Sequence, residues 1–254
     1  MSVVAPERLR VNRYLASRGV ASRRAVDALV EAGRVQVNGR RIVPGTLVDP
    51  QRDAVTVDGH LLPPAERPRT VMLNKPAGVV STTRDPQGRP TVLDLVDRPH
   101  GLFPVGRLDT PSRGLLLLST DGTLALRLTH PRHGVLKRYR VTVRGRAGER
   151  ALRALRHGVE LEDGFAQAVE AHLVEHGREG DVIELTMAEG RKREVRRLCT
   201  AVGMPVADLV RIAIGPLHLG RLREATARPL TAAEEQRLYE AVGLTAPPRS
   251  RSGR

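Results

Sequence analysis

Apolar and polar residues along this chain change period repeatedly, and each change marks an element. Leu115 to Leu118 form an unbroken apolar run between a Gly-containing polar turn and an Asp-Gly pair, within GRLDTPSRGLLLLSTDG at 106–122. A run that short, bounded by turn signals, suits a strand buried on both faces. Lys137 to Val143 alternates instead, with Val135, Lys137, Tyr139, Val141 and Val143 on one inward face of a half-buried strand. Val195, Leu198, Cys199 and Val202 recur at helical spacing and stop at Gly203, so the basic segment from Glu189 to Cys199 carries a helix with one apolar stripe.

The same reading places a helix over 8–18 ending at Gly19. A second helix is capped by Ser22 and carries Ala25, Val26, Leu29 and Val30 on one face up to Gly33. Two strands around Asn38-Gly39 and another hairpin at Asp58-Gly59 follow. Residues 62–69, LPPAERPR, are proline-rich without hydrophobic period and read as a linker. Beyond it the pattern predicts a strand at 71–73, a turn over 74–78, a strand at 79–81 and a polar loop over 82–91. Further on come a helix at 123–129, a helix at 149–157, and strands at 166–174, 181–187, 206–214 and 217–219. A closing helix over 231–241 is opened by Thr231. The expected organisation is therefore a small unit at 8–61, a linker at 62–69, a larger α+β unit at 70–243 and a basic disordered tail at 244–254.

Charge narrows the partners. A formal net charge of +14 on 254 residues points to a polyanion. An anionic membrane is the weaker candidate, since no run is long and apolar enough for a span and no basic helix carries bulky aromatics on its other face. Three tyrosines, two phenylalanines and no tryptophan argue against stacking many bases of a single strand on an aromatic platform, so arginine and backbone must do the recognising. The single cysteine, Cys199, excludes an intramolecular disulfide, and with no apolar leader at the N-terminus a reducing cytoplasm is the expected compartment. The histidines lack metal-ligand spacing. Asp58, Asp121 and Asp163 each precede glycine and read as turn residues.

One carboxylate stands apart. Asp109 lies in the tight turn before the leucines, where Gly106 and Gly114 permit close backbone approach and Arg107 and Arg113 put positive charge on either side. Such a carboxylate stays ionised. Two further pieces accompany it at a distance: Tyr139 in KRY, and the basic cluster EGRKREVRRL holding Arg191, Arg193, Arg196 and Arg197.

Residues 10–42, RVNRYLASRGVASRRAVDALVEAGRVQVNGRRI, resemble the S4 RNA-binding domain in the SR pair before the second helix and the G-x-V-x-V-N-G strand after it. Across 70–242, NKPAG, GRLD followed by GLLLL and a DG turn, KRYRV, EGRKREVRRL and VADLVRIAIGPLHLG occur in the order found in pseudouridine synthases that modify ribosomal RNA and carry an N-terminal S4 domain. The resemblance spans essentially residues 8–242. It implies an α+β protein, an S4 domain followed by a catalytic domain on a mixed, mainly antiparallel sheet with flanking helices.

The resemblance also implies roles. Asp109 matches the catalytic aspartate, Tyr139 the tyrosine packed against the target base, Arg196 the basic residue paired with the aspartate, and Arg107 an arginine that helps to hold the flipped nucleotide. Arg191, Arg193 and Arg197, together with Arg8, Arg13, Arg23, Arg24, Arg40 and Arg41 of the S4 part, are the expected RNA contacts. No cofactor and no metal are implied. The implied activity is isomerisation of uridine to pseudouridine by a monomer, with 23S ribosomal RNA of the large subunit favoured. A 16S enzyme and a non-catalytic rRNA-binding assembly factor of the same fold are the alternatives. One departure is Glu194, where the family commonly has glutamine. The flanking arginines are expected to outweigh its charge at Asp109 and to leave it a structural part.

Overall fold

The computed structural model describes residues 8–50, 52–62, 67–97, 101–178 and 180–248. Most of the apolar runs become strands of one nine-stranded sheet. Its order is Glu170–Glu175, Val182–Met187, Lys137–Val143, Val206–Ile214, Arg113–Ser119, Thr70–Lys75 and Ala227–Pro229, with Leu217–His218 added to the fourth and Phe103–Val105 to the fifth. Every pairing is antiparallel except one, where Val210 and Arg211 run parallel to Arg113 and Gly114. The sheet is thus mixed and mainly antiparallel.

The leucine run is buried on both faces. Leu116 and Leu118 join Leu73, Tyr139, Val141, Ile183 and the stripe residue Leu198 in one core, while Leu115 and Leu117 join Met72, Leu124, Leu128, Leu238 and Tyr239 in another. Alternation across a central strand needs leucine at every position here because both faces are covered by helices. Asp121 ends the run as the N-cap of helix Gly122–Thr129, accepting from the Thr123 and Leu124 amides, and its other oxygen takes the Tyr239 hydroxyl at 2.7 Å. Thr231 and Glu234 form a reciprocal capping box that starts helix Ala232–Glu240.

The N-terminal unit has its own core of Val11, Tyr14, Leu15, Val26, Val30, Val35, Val48 and Val55. Ser22 caps helix Arg23–Glu31 through the Ala25 amide. Contact with the larger unit is made by the first helix, Val11–Ser17: Arg13 donates to the Thr123 hydroxyl, and Gly101 lies against the Ser17 carbonyl.

Several expectations change. The first helix begins at Val11, because Leu9 and Arg10 pair with Val48 and Leu47 as a short strand. Asn74 and Lys75 continue the strand rather than forming a turn, and 79–81 contributes only one bridge, Val80 to Thr91. The segment expected as one strand at 166–174 is two pieces. Gly164–Ala166 closes a hairpin with Val159–Leu161, and Glu170–Glu175 enters the sheet. The chain remains packed past 243, with Leu244 and Ala246 against the second core and the Arg67 side chain donating to the Pro247 and Pro248 carbonyls. Residues 63–66 of the expected linker and 249–254 of the expected tail lie outside the described residues.

Candidate active site

The GRLD turn lies between strands Phe103–Val105 and Arg113–Ser119, which pair with each other. Gly106 takes φ +72°, and Gly114 takes φ +102° with its backbone so close to Arg211 that a Cβ would fall 2.4 Å from the Arg211 carbonyl oxygen. Only glycine fits there. From below, the fully buried Lys75 reaches the turn with its ammonium. It donates to the carbonyls of Pro76 at 2.9 Å, Asp109 at 3.3 Å, Thr110 at 3.3 Å and Ser112 at 2.8 Å. Ser81 clasps Leu108 through both its carbonyl and its amide, and the Gly78 amide donates to Thr110. Arg211, buried to 5 % exposure, donates from Nε to Leu115 at 2.8 Å and from one terminal nitrogen to the Arg107 carbonyl at 3.4 Å.

All these bonds hold backbone. Among the described residues the half-buried Asp109 carboxylate accepts no hydrogen bond and makes no ion pair, although its charge favours the protonated forms of Lys75 and Arg196. Burial draws the Lys75 ammonium down to about 8, and Asp109 opposes that shift. Asp109 borders a cavity of about 350 Å³ whose wall includes Tyr139, Lys137, Arg211, Met187 and Arg193. A second cavity of about 480 Å³ meets it at Asp109 and Arg107, walled by Arg84 and Arg193.

The residues singled out in sequence separate into groups. Asp109 and Tyr139 share the first cavity, and Tyr139 is 7 % exposed within the core. Arg196 stands behind it, donating at 3.3 Å to the Ser112 hydroxyl and making no ion pair with Asp109 within 4.0 Å, so the expected direct pairing is not the geometry here. Arg107 and Arg193 are exposed at the cavity rim, and Arg193 is held at φ +52°, a left-handed conformation costly for a residue with a side chain.

Arg191 and Arg197 are committed within the protein. Arg191 bonds Glu194, Asp163 and the carbonyls of Gly164 and Phe165, while Arg197 forms a bidentate pair with Asp163 at 2.6 and 2.8 Å. Glu194 is buried and accepts from the Arg191 amide and Nε, so its charge is spent on that loop. Arg113 likewise turns away from Asp109. It pairs with Asp208 at 2.5 Å and Glu224 at 2.8 Å, which push its guanidinium pKa up. Arg8, Arg23, Arg24, Arg40 and Arg41 are exposed, and Arg13 is the contact to Thr123.

Sequence reasoning passed over Lys75 and Arg211. Each had a signal: a lysine closing a strand whose other residues are buried, and an arginine inside the apolar run VADLVRIAI. Comparison with known proteins completes the picture. Residues 69–201 match the RNA pseudouridylate synthase family and residues 9–53 the S4 domain. A relative from Aquifex aeolicus (strain VF5), called an uncharacterized RNA pseudouridine synthase, is 42% identical across 96% of this chain and 98% of its own. Ribosomal large subunit pseudouridine synthase B of Bacillus subtilis (strain 168) is 37% identical across 90% of this chain and 95% of its own. A solved pseudouridylate synthase superposes with a TM-score of 0.63 at 31% identity, covering 91% of this chain and 99% of the other. With over half its length inside the family pattern and these relatives matched nearly end to end, the chain belongs to the RNA pseudouridylate synthase family.

Proposed function

We propose that this enzyme isomerises a uridine of 23S ribosomal RNA to pseudouridine, with Asp109 as the reacting carboxylate. The observation that carries this reading is the unbonded Asp109 carboxylate, facing a cavity shared with Tyr139 while four separate groups fix the backbone of its turn. A rigid turn with a free carboxylate is preorganised to meet a sugar carbon without first breaking protein contacts. The large-subunit names of relatives from Bacillus subtilis and Salmonella typhi support the choice of RNA.

The reaction breaks the N1–C1′ bond, turns the base and rejoins it through C5. Neither group transfer nor redox change is involved. Tyr139 offers its ring to the detached base. Arg196 positions the turn through Ser112 and keeps positive charge near Asp109. Extruding the nucleotide from structured RNA costs a few kcal/mol, which phosphate contacts from Arg107, Arg193 and the exposed arginines of the N-terminal unit offset. Arg191 and Arg197 support the cavity wall instead. The working organisation is an S4 domain at 8–61 and a catalytic domain from 70 to at least 243, acting as a monomer in the cytoplasm.

The test is pseudouridine mapping of ribosomal RNA from a strain lacking the protein, complemented with wild type or Asp109→Asn. One uridine of 23S RNA should lose its modification, regain it with wild type and stay unmodified with the variant, whose RNA affinity is retained. Loss of a 16S site would redirect the target. An unchanged map with defective subunit assembly would make the protein a binding factor.

A further inference from the structure

Lys137 is unexplained by the reading above. It lies two residues before Tyr139 on the same face of strand Lys137–Val143, and both line the cavity that holds Asp109. Arg211 pairs directly with Tyr139 across the neighbouring strand, and the register shifts between Arg138 and Tyr139. Opposite residues of paired strands share a face, and a bulge at this point re-aims that face next to the site. Three groups therefore converge on one wall: a ring and two cations.

Neither cation has a carboxylate partner of its own among the described ion pairs. The Lys137 ammonium makes a single long bond, 3.4 Å to the Ala188 carbonyl, leaving donors free. Arg211 spends two nitrogens on backbone, and its other terminal nitrogen is buried without a partner. Burial and the neighbouring Arg211 pull the Lys137 pKa below its ordinary value, and Glu194 opposes them. Lys137 is half-buried and Arg211 buried, and adjacent cations drawn even partly out of water are costly unless an anion meets them. Cys199, also buried, lies within the core and offers no such opening.

The reaction supplies that anion. When the N1–C1′ bond breaks, its electron pair leaves with the base, and the charge spreads over the ring onto O2 and O4. We propose that Lys137 is a catalytic residue that donates a hydrogen bond to one of these ring oxygens, and that Arg211 positions it and the Asp109 turn. The inference rests on the pseudouridine synthase reading. Lys137 keeps its proton throughout. C5 then bonds to C1′, the proton on C5 is lost and N1 gains one, so atoms and charge return to their starting count. Tyr139 supports the face of the base while Lys137 holds its edge, which keeps the detached ring from diffusing away before it turns.

The test uses the full-length protein and a 23S RNA fragment carrying the mapped uridine, in single-turnover reactions read by chromatography of the digested RNA. Lys137→Met, which keeps the stem and removes the donor, should slow pseudouridine formation by about 10² to 10³, the usual loss for one donor to a developing oxyanion, with RNA affinity within about threefold. Lys137→Arg should recover part of the rate. Independently of any variant, sulfur accepts hydrogen bonds poorly, so either 2-thiouridine or 4-thiouridine at the target should slow the wild type. Lys137→Met should then show no further loss with that substrate, because the two changes remove one interaction. A wild-type rate in Lys137→Met, equal losses of rate and affinity, or additive effects of thio substitution and variant would each overturn the proposal. A wild-type protein inactive on uridine RNA would instead overturn the enzyme reading beneath it.

Discussion

Lys75 shows how much one side chain can organise. Its ammonium is fully buried, yet three carbonyls of the Asp109 turn and that of Pro76 surround it, so it is satisfied as a charge at neutral pH. Lys75→Met keeps the stem but strands those carbonyls, and we expect a loss of ~2–4 kcal/mol in urea denaturation with a slower reaction and little change in RNA affinity. The pH dependence has a definite sign. The folded-state pKa is drawn down to about 8 from 10.5, so between those values the unfolded chain binds a proton that the folded chain has released. This lysine's contribution to stability therefore rises with pH across that window, by up to ~3 kcal/mol. The stability gap between wild type and Lys75→Met should widen from pH 8 to pH 10. A gap that narrows would mean that the fold holds the lysine's proton more tightly than the unfolded chain does, so that its folded pKa is raised rather than lowered.

Element by element, the sequence was legible wherever burial imposes a period. The leucine run, the alternating strand with Tyr139 inward and the stripe helix are each forced by core on one or both faces. Phe103–Val105 and Ala227–Pro229 left no such trace. Each is short, each contains proline, and Ala227–Pro229 is an edge strand, where a missing amide is tolerated. Val159–Leu161 hid for another reason: its hairpin is separate from the main sheet and only half-buried, so nothing enforces alternation. Of the candidate site residues, motif order singled out Asp109 and Tyr139, which share the first cavity, but Arg113 was misplaced. Proximity in sequence put it beside Asp109, whereas the strand geometry sends it to Asp208 and Glu224. Gly114 is the element-level hinge of this arrangement, since the parallel pairing with Arg211 leaves no room for a side chain. Gly114→Ala should separate the two strands, cost more than ~3 kcal/mol in thermal or urea unfolding, and abolish activity by loosening both Arg211 and the turn. A near-wild-type melting temperature would show that the strands can part without harm.

At the scale of the molecule, the charge of +14 is distributed by role. Some arginines are internal fasteners: Arg191 and Arg197 on Asp163, Arg228 on Glu234, and Arg67 on Glu235. Arg89 is held by Asp85, which leaves Arg84 and Arg107 open on the second cavity. On the N-terminal unit, Arg8, Arg23, Arg24, Arg40 and Arg41 remain exposed. That unit has a core sharing no residue with the other two, and it touches the larger unit through Arg13 and the end of its first helix. Removing residues 1–62 should consequently leave a folded, soluble remainder with an unchanged cavity. Its affinity for ribosomal RNA should fall and depend less on salt, because each lost phosphate contact removes about 0.9 from the slope of log K against log salt for a duplex. If the five arginines named above each hold one phosphate, the slope falls by about 4 to 5. Binding measured across a salt series for both proteins reads this directly. An insoluble remainder would mean the contact through Arg13 is structural, and an unchanged slope would move RNA recognition onto the arginines around Asp109.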